Sequence, residues 1–288
     1  MSYNNFQLQA PAKINLFLHI TGKRDDGYHL VQSVMVFVDV GDKIDFAPHD
    51  TLFLDVEGPF AGEMPQAHDN LIYKAAQLLA TEYGTHVRGA VNLNKLLPVA
   101  SGIAGGSSDS AAALKGFARL WGLPDEQDRM MKLAQKLGAD VPACFIGKPV
   151  WAEGIGEKMM RLPEMPAMHF VLVNPLVQTP TPEVFARFRN RYSPPIQFSG
   201  RRKTMQEWIA DLKNYRNDLT DAAMEVTPQI RDVLEALNDT PNCRLARLSG
   251  SGATCFGMYD TAEAAIAAVN KLKLVQPRWW VAPANLVK

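Results

Sequence analysis

The clearest chemistry in the chain lies in one unbroken run, Pro98-Val99-Ala100-Ser101-Gly102-Ile103-Ala104-Gly105-Gly106-Ser107-Ser108. Its three glycines and three serines leave main-chain N–H groups open to a ligand. An Ala-rich stretch from about Ser108 to Trp121 follows, reads as a helix and is stopped by Gly122. The unpaired amides and the positive end of that helix then aim at one spot, which suits an anion such as phosphate. Ser107 and Ser108 add hydroxyls able to donate to phosphate or to accept a cation. No GxxxxGK[ST] occurs in the sequence, and the run is not a GxGxxG fingerprint either. Composition alone leaves it open to be a flexible linker capped by Ser108.

Two charged residues extend the set. Asp140, in Leu137-Gly138-Ala139-Asp140-Val141-Pro142, follows a helix expected to end at Gly138. A carboxylate beside the negative end of a helix is unfavourable without compensation, which makes Asp140 a candidate functional residue. A turn aspartate bonding its own backbone reads the same way. Lys13 follows Pro11 at the start of a strand; it can approach a transferring phosphoryl group as a point charge or guard a strand edge. An anion loop, a carboxylate and a lysine are what phosphoryl transfer asks of a protein: positioning, charge neutralisation and a proton acceptor. Base assistance is typically worth about 10²–10⁴ in rate.

The elements that must carry these residues alternate in type. Ile14, Leu16, Leu18 and Ile20 have the period of a strand, so Lys13 and Asn15 share its opposite face. Val34 to Val40 predicts a second strand ended by Gly41-Asp42, with shorter strands at 43–46 and 51–56. Asp69 and Asn70 cap a helix that runs to Tyr83 and stops at Gly84. A strand over 87–95 precedes the loop, and a helix from Pro124-Asp125 follows it. Gly154, Gly156, Pro163 and Pro166 place a domain boundary near 165, dividing the chain into 1–165 and 166–288. Beyond it come a strand over 169–173 and helix starts at Thr181-Pro182 and Thr227-Pro228, with the threonines as caps. Strands over 245–248 and 254–259 flank a second glycine-rich loop, Ser249-Gly250-Ser251-Gly252. Thr261 starts a last helix and 279–281 a last strand. The pattern predicts an α+β protein of two domains with its site between them.

Lys plus Arg number 30, as do Asp plus Glu, so nothing favours bulk attraction to nucleic acid or an anionic membrane. The three cysteines, Cys144, Cys243 and Cys255, form no CxxC pair, which argues against a disulfide framework or a cysteine zinc site. No signal-peptide layout opens the sequence and no run approaches the roughly 18 apolar residues of a membrane span. The expectation is a cytoplasmic protein, monomer or homodimer, with a small-molecule partner. A basic cluster of Arg187, Arg189, Arg191, Arg201, Arg202 and Lys203 either draws a substrate diphosphate or is a solvated loop.

The loop from Pro98 to Ser108 resembles the Pro-x-x-x-Gly-Leu-Gly-Ser-Ser element of the superfamily of galactokinase, homoserine kinase, mevalonate kinase and phosphomevalonate kinase. Ile103 and Ala104 replace the commoner Leu and Gly. Leu248-Ser249-Gly250-Ser251-Gly252-Ala253 resembles its third motif. Ala10-Pro11-Ala12-Lys13-Ile14-Asn15-Leu16, Gly27-Tyr28-His29 and the segment around Asp140 resemble one family within it, the 4-diphosphocytidyl-2-C-methyl-D-erythritol kinases. The resemblance implies an S5-domain-2-like N-terminal half and a ferredoxin-like C-terminal half. It implies ATP as donor, with Mg2+, and the 2-hydroxyl of a methylerythritol cytidine diphosphate as acceptor, on the non-mevalonate route to isoprenoid precursors. By the same resemblance Asp140 takes the hydroxyl proton, and Lys13 holds Asp140 ionised and orients the acceptor beside Asn15. Tyr28 and Phe185 sandwich the cytosine and His29 bonds its edge. Asn70 and Lys95 lie near adenine and ribose, and Gly250, Ser251 and Gly252 wall the site. The alternatives are another kinase of the superfamily, acting on homoserine or mevalonate, and a non-catalytic ligand sensor on the same fold.

Overall fold

Gly41 sits where backbone passes too close for a side chain: a Cβ there would lie 2.4 Å from the Ala10 carbonyl oxygen. That contact explains why Gly41-Asp42 does not end the second strand as expected. The computed structural model describes residues 5–64, 69–197 and 204–287. In chain order its elements are β1 (Phe6–Lys23), β2 (His29–Ala47), β3 (Leu52–Glu57), α1 (Leu71–Tyr83), β4 (Gly89–Asn94), α2 (Gly105–Trp121), α3 (Gln127–Leu137) and α4 (Val141–Ile146). Then follow β5 (Val150–Gly154), β6 (Lys158–Arg161), β7 (His169–Asn174), α5 (Thr181–Arg187), α6 (Met205–Leu212), α7 (Thr220–Val226), α8 (Gln229–Asn238), β8 (Leu245–Leu248), β9 (Cys255–Tyr259), α9 (Ala262–Val275) and β10 (Trp280–Asn285).

Two compact units divide the chain. The first holds residues up to Ala12, Gly41–Val99 and Ala104–Gly147. Here the last part of β2 pairs antiparallel with β4, and β3 lies parallel to β4. Phe46 centres its core, with Phe6 stacked at 5.2 Å and Phe117 edge-on at 5.5 Å. Gly116 on α2 makes room for that ring, since a Cβ would come within 2.2 Å of it. The helix α1 has its expected bounds: Asn70 caps it by accepting from the Ile72 amide, and Gly84 ends it in a left-handed conformation.

The second unit holds Lys13–Val40, Ala100–Ile103 and the chain from Lys148 onward. The first part of β2 pairs antiparallel with β5, and β5 with β6. A separate antiparallel sheet has the order β10-β7-β9-β8. With helices between β7 and β8 and α9 between β9 and β10, this is the βαββαβ ferredoxin-like arrangement. Ile230, Val233 and Leu237 of α8, and Ala265, Val269 and Leu272 of α9, recur at helical spacing in its core. Leu18 and Ile20 of β1 belong to the same core. Neither threonine cap forms. Thr181 is already helical and its hydroxyl bonds Ser251 at 2.7 Å; Thr227 bonds Thr179 at 2.8 Å. Prolines occupy the cap positions of α5 and α8 instead.

Candidate active site

The helix after the phosphate loop begins at Gly105, earlier than its Ala-rich run suggests, because Gly105, Gly106 and Ser107 form its first turn. The amides of a first turn have no partner inside the helix, and no side chain caps this one. Ala100, Gly102 and Ala104 all take left-handed backbone, with φ of 50°, 76° and 56°. Ala104 therefore holds a conformation that costs an L-residue roughly 1–2 kcal/mol. Of the two candidate hydroxyls, Ser108 is buried and donates to the Pro11 carbonyl at 2.8 Å; Ser107 is half-buried. Asn70 is buried, and its amide nitrogen has no partner while its oxygen caps α1. A donor left unmatched in this way is costly unless a ligand takes it.

Lys95 is 1% exposed and lies between two carboxylates, 2.6 Å from Asp42 and 2.7 Å from Asp109. The expectation of Lys95 beside a nucleotide meets this burial: its ammonium is engaged by carboxylates beneath the start of α2. A Cβ on Gly105 would come 3.1 Å from the Lys95 ammonium. Burial pulls that ammonium down, but Asp109 and Asp42 more than restore it, so Lys95 stays above the ordinary lysine range. Burial pushes Asp109 up to about 8, against the pull of Lys95 and with help from Asp42. Two acidic side chains share one buried cation, and that competition together with burial favours the protonated form of Asp109. Sequence reading missed Asp42 and Asp109; the only signal was Asp42 inside an otherwise apolar strand pattern.

Asp140 also belongs to the first unit and is half-buried. It follows the end of α3, as expected, but it also stands at the N-cap of α4 with Pro142 in the first turn. Its side chain does not cap that helix.

Lys13 and Asn15 lie in the second unit, both buried on β1. The Lys13 ammonium donates to Asn15 Oδ1 at 2.8 Å, and Asn15 Nδ2 donates to Ser33 Oγ at 2.8 Å. The Asn15 amide donates to Ser249 Oγ, whose hydroxyl donates to the Gly102 carbonyl, each at 3.1 Å. The second glycine loop is thus seated on residues 100–103. A Cβ on Gly102 would lie 2.6 Å from Gly252 O and 2.7 Å from Ser249 O. Sequence reading passes over Ser33 and takes Thr181 only as a helix cap, because a lone hydroxyl carries no spacing signal for a tertiary partner. His29 stacks on Phe185 at 5.2 Å, and Phe188 meets it edge-on at 5.6 Å. Burial, then the charge of Lys23, lowers the His29 pKa. Tyr28 is exposed, and Gly250, Ser251 and Gly252 are buried. Arg201, Arg202 and Lys203 lie outside the described residues.

The uncapped first turn of α2 suits a phosphate group, and the comparisons with known proteins identify the family. The description "GHMP kinases N terminal domain" matches residues 70–148, and "GHMP kinases C terminal" matches 199–276. The 4-diphosphocytidyl-2-C-methyl-D-erythritol kinase of Paramagnetospirillum magneticum is 44% identical, over 98% of this chain and 99% of its own. The chain belongs to the GHMP kinase family. A second relative of that name, from Cereibacter sphaeroides, is 46% identical over 96% of this chain and 98% of its own. Among solved structures, a 4-(cytidine 5'-diphospho)-2C-methyl-D-erythritol kinase superposes with a TM-score of 0.80 at 29% identity, covering 98% of this chain and 100% of that one. A homoserine kinase from Cytophaga hutchinsonii shares the fold, with a TM-score of 0.70 at 17% identity over 100% of this chain and 96% of that one. The α+β GHMP kinase fold implied by the motifs is the fold the chain has. No helix among the described residues is long and apolar enough to cross a membrane.

Proposed function

We propose that the protein transfers the γ-phosphoryl group of ATP to the 2-hydroxyl of 4-(cytidine 5'-diphospho)-2-C-methyl-D-erythritol, a step of the non-mevalonate route to isoprenoid precursors. The observation that carries the reading is the uncapped first turn of α2, set behind a loop of left-handed residues. The acceptor follows from the names of the relatives and from the aromatic residues around His29.

ATP, when bound, supplies the phosphoryl group. The amides of Gly105, Gly106 and Ser107 hold its phosphates, with Pro98 to Ile103 shaping the approach. Asn70 donates its unmatched amide nitrogen to the nucleotide, and Lys95 acts beneath the loop by holding Asp42 and Asp109. Asp140 accepts the proton of the acceptor hydroxyl. Lys13 offers a cation to the acceptor side, fixed by Asn15, which Ser33 and Ser249 hold in turn. His29, with its lowered pKa, is neutral at pH 7 and so offers one donor and one acceptor to a cytosine edge. Phe185 and Tyr28 supply rings for the base. Gly250, Ser251 and Gly252 wall the acceptor side. Mg2+ accompanies the nucleotide phosphates, with Ser107 as a candidate ligand.

The deciding experiment incubates the protein with ATP, Mg2+ and, separately, the cytidylyl acceptor, homoserine and mevalonate, following product by phosphorus NMR. A 2-phosphate forms on the cytidylyl acceptor alone. Turnover of homoserine or mevalonate without it overturns the assignment.

A further inference from the structure

A cavity of about 620 Å³ opens within the second unit, against the edge strand β8, the helices α7 and α8 and the chain after α5. Six arginines line it, against three carboxylates: Asp218, Asp221 and Glu225. Asp218 is already engaged by Arg216, Ser193 and the Ile20 amide, and Glu225 by Arg189. Arg191 and Arg231 pair with no carboxylate among the described residues. Arg247 is the unusual one. It is only 8% exposed, and its guanidinium donates to the carbonyls of Leu16, Leu212 and Tyr215, each at 2.7 Å. Those acceptors are all neutral, and no carboxylate among the described residues pairs with its charge. Burial lowers its pKa to about 10, so it stays ionised at neutral pH. A buried cation answered only by neutral dipoles favours a nearby anion. Leu234, Ala246 and Leu248 complete the wall with apolar surface, and the volume falls in the small-molecule range of roughly 300–1,000 Å³.

We propose that this cavity is a second anion site, separate from the phosphate loop, which takes the phosphate or diphosphate group of a small organic ester. Neither ATP nor the acceptor of the proposed reaction is its ligand, so the proposal stands apart from that reading.

Calorimetric titration with pyrophosphate tests it. Binding of an unhydrolysable ATP analogue and of cytidine diphosphate is recorded first, and both are then kept saturating. Pyrophosphate is expected still to bind once per chain, and Arg191→Ala and Arg231→Ala each to weaken it about tenfold, as loss of a charge-assisted bond does. Both side chains are exposed, so both variants should fold; matching thermal melts check this. Loss of pyrophosphate binding once the two ligands are present overturns the proposal, as does binding that both variants leave unchanged. Should the analogue or cytidine diphosphate fail to bind at the outset, the proposed reaction fails; pyrophosphate binding lost in the two arginine variants would still support the cavity.

Discussion

A general base loses its function when its carboxylate becomes an amide, so the role proposed for Asp140 can be tested by that one change. Asp140 stands at the N-cap position of α4, and its side chain does not cap that helix. Asp140→Asn keeps the shape and removes the proton acceptor. We expect kcat to fall by about 10²–10⁴ while affinity for the ATP analogue changes less than twofold. Single-turnover rates beside equilibrium binding check both halves, and normal turnover by the variant removes Asp140 from the chemistry. Gly102 makes the opposite kind of demand, because geometry and not reactivity requires it. Its φ is +76° and a Cβ would strike Gly252 O and Ser249 O. Gly102→Ala combines left-handed strain with overpacking against rigid backbone, a loss of about 2–4 kcal/mol. Urea unfolding measures it, and an unchanged midpoint would show that the two glycine loops do not meet as described.

At the scale of elements, the start of α2 rests on the buried group of Lys95, Asp42 and Asp109. Asp109 is raised to about 8 when folded and should titrate near 3.9 when unfolded. The folded chain therefore binds the extra proton between those values. The stability this supplies is complete below about pH 4, fades as pH rises and is gone above about pH 8. Asp109→Asn cannot titrate, so the urea midpoint of the unaltered protein should fall more steeply from pH 5 to 8 than that of the variant. Equal slopes would place the titration elsewhere. Lys95→Met leaves the buried Asp42 and Asp109 without their shared cation and should cost about 3–5 kcal/mol at pH 7. Of this group only Lys95 was legible beforehand, through the resemblance, and its two acidic partners were not. Periodicity marked β1, α1 and the phosphate loop because each is a local pattern with its own cap or turn. It failed at Gly41-Asp42, where a strand continues only because a neighbouring backbone and a distant lysine need a glycine and an aspartate there. It failed again at Thr181 and Thr227, whose hydroxyls went to tertiary partners 70 and 48 residues away. The site residues proposed from sequence are those the family motifs carry; Ser33, Asp42, Asp109 and Thr181 make contacts that spacing does not encode.

For the whole molecule, the interleaving of the two units matters more than their sizes. A stretch of β1 and β2, Lys13–Val40, belongs to the unit that otherwise begins at Lys148. It is not an accessory: Leu18 and Ile20 sit in the same core as Val171, Val173, Ile230 and Leu237. Leu18 also exchanges backbone bonds with Arg216 and Asp218, and Arg247 donates to the Leu16 carbonyl. A fragment of residues 166–288 keeps the complete β10-β7-β9-β8 sheet yet loses that packing and leaves the Arg247 guanidinium short of one acceptor. Uncovering two buried aliphatic side chains alone removes about 3–6 kcal/mol, a large share of the roughly 5–15 kcal/mol that holds a domain together. The fragment should therefore lack near-ultraviolet circular dichroism and bind a hydrophobic dye. Adding residues 1–165 in trans should restore the signal, because the missing strands return with them. A well-dispersed amide spectrum from 166–288 alone would show that the ferredoxin-like sheet is self-sufficient and that β1 merely lies against it.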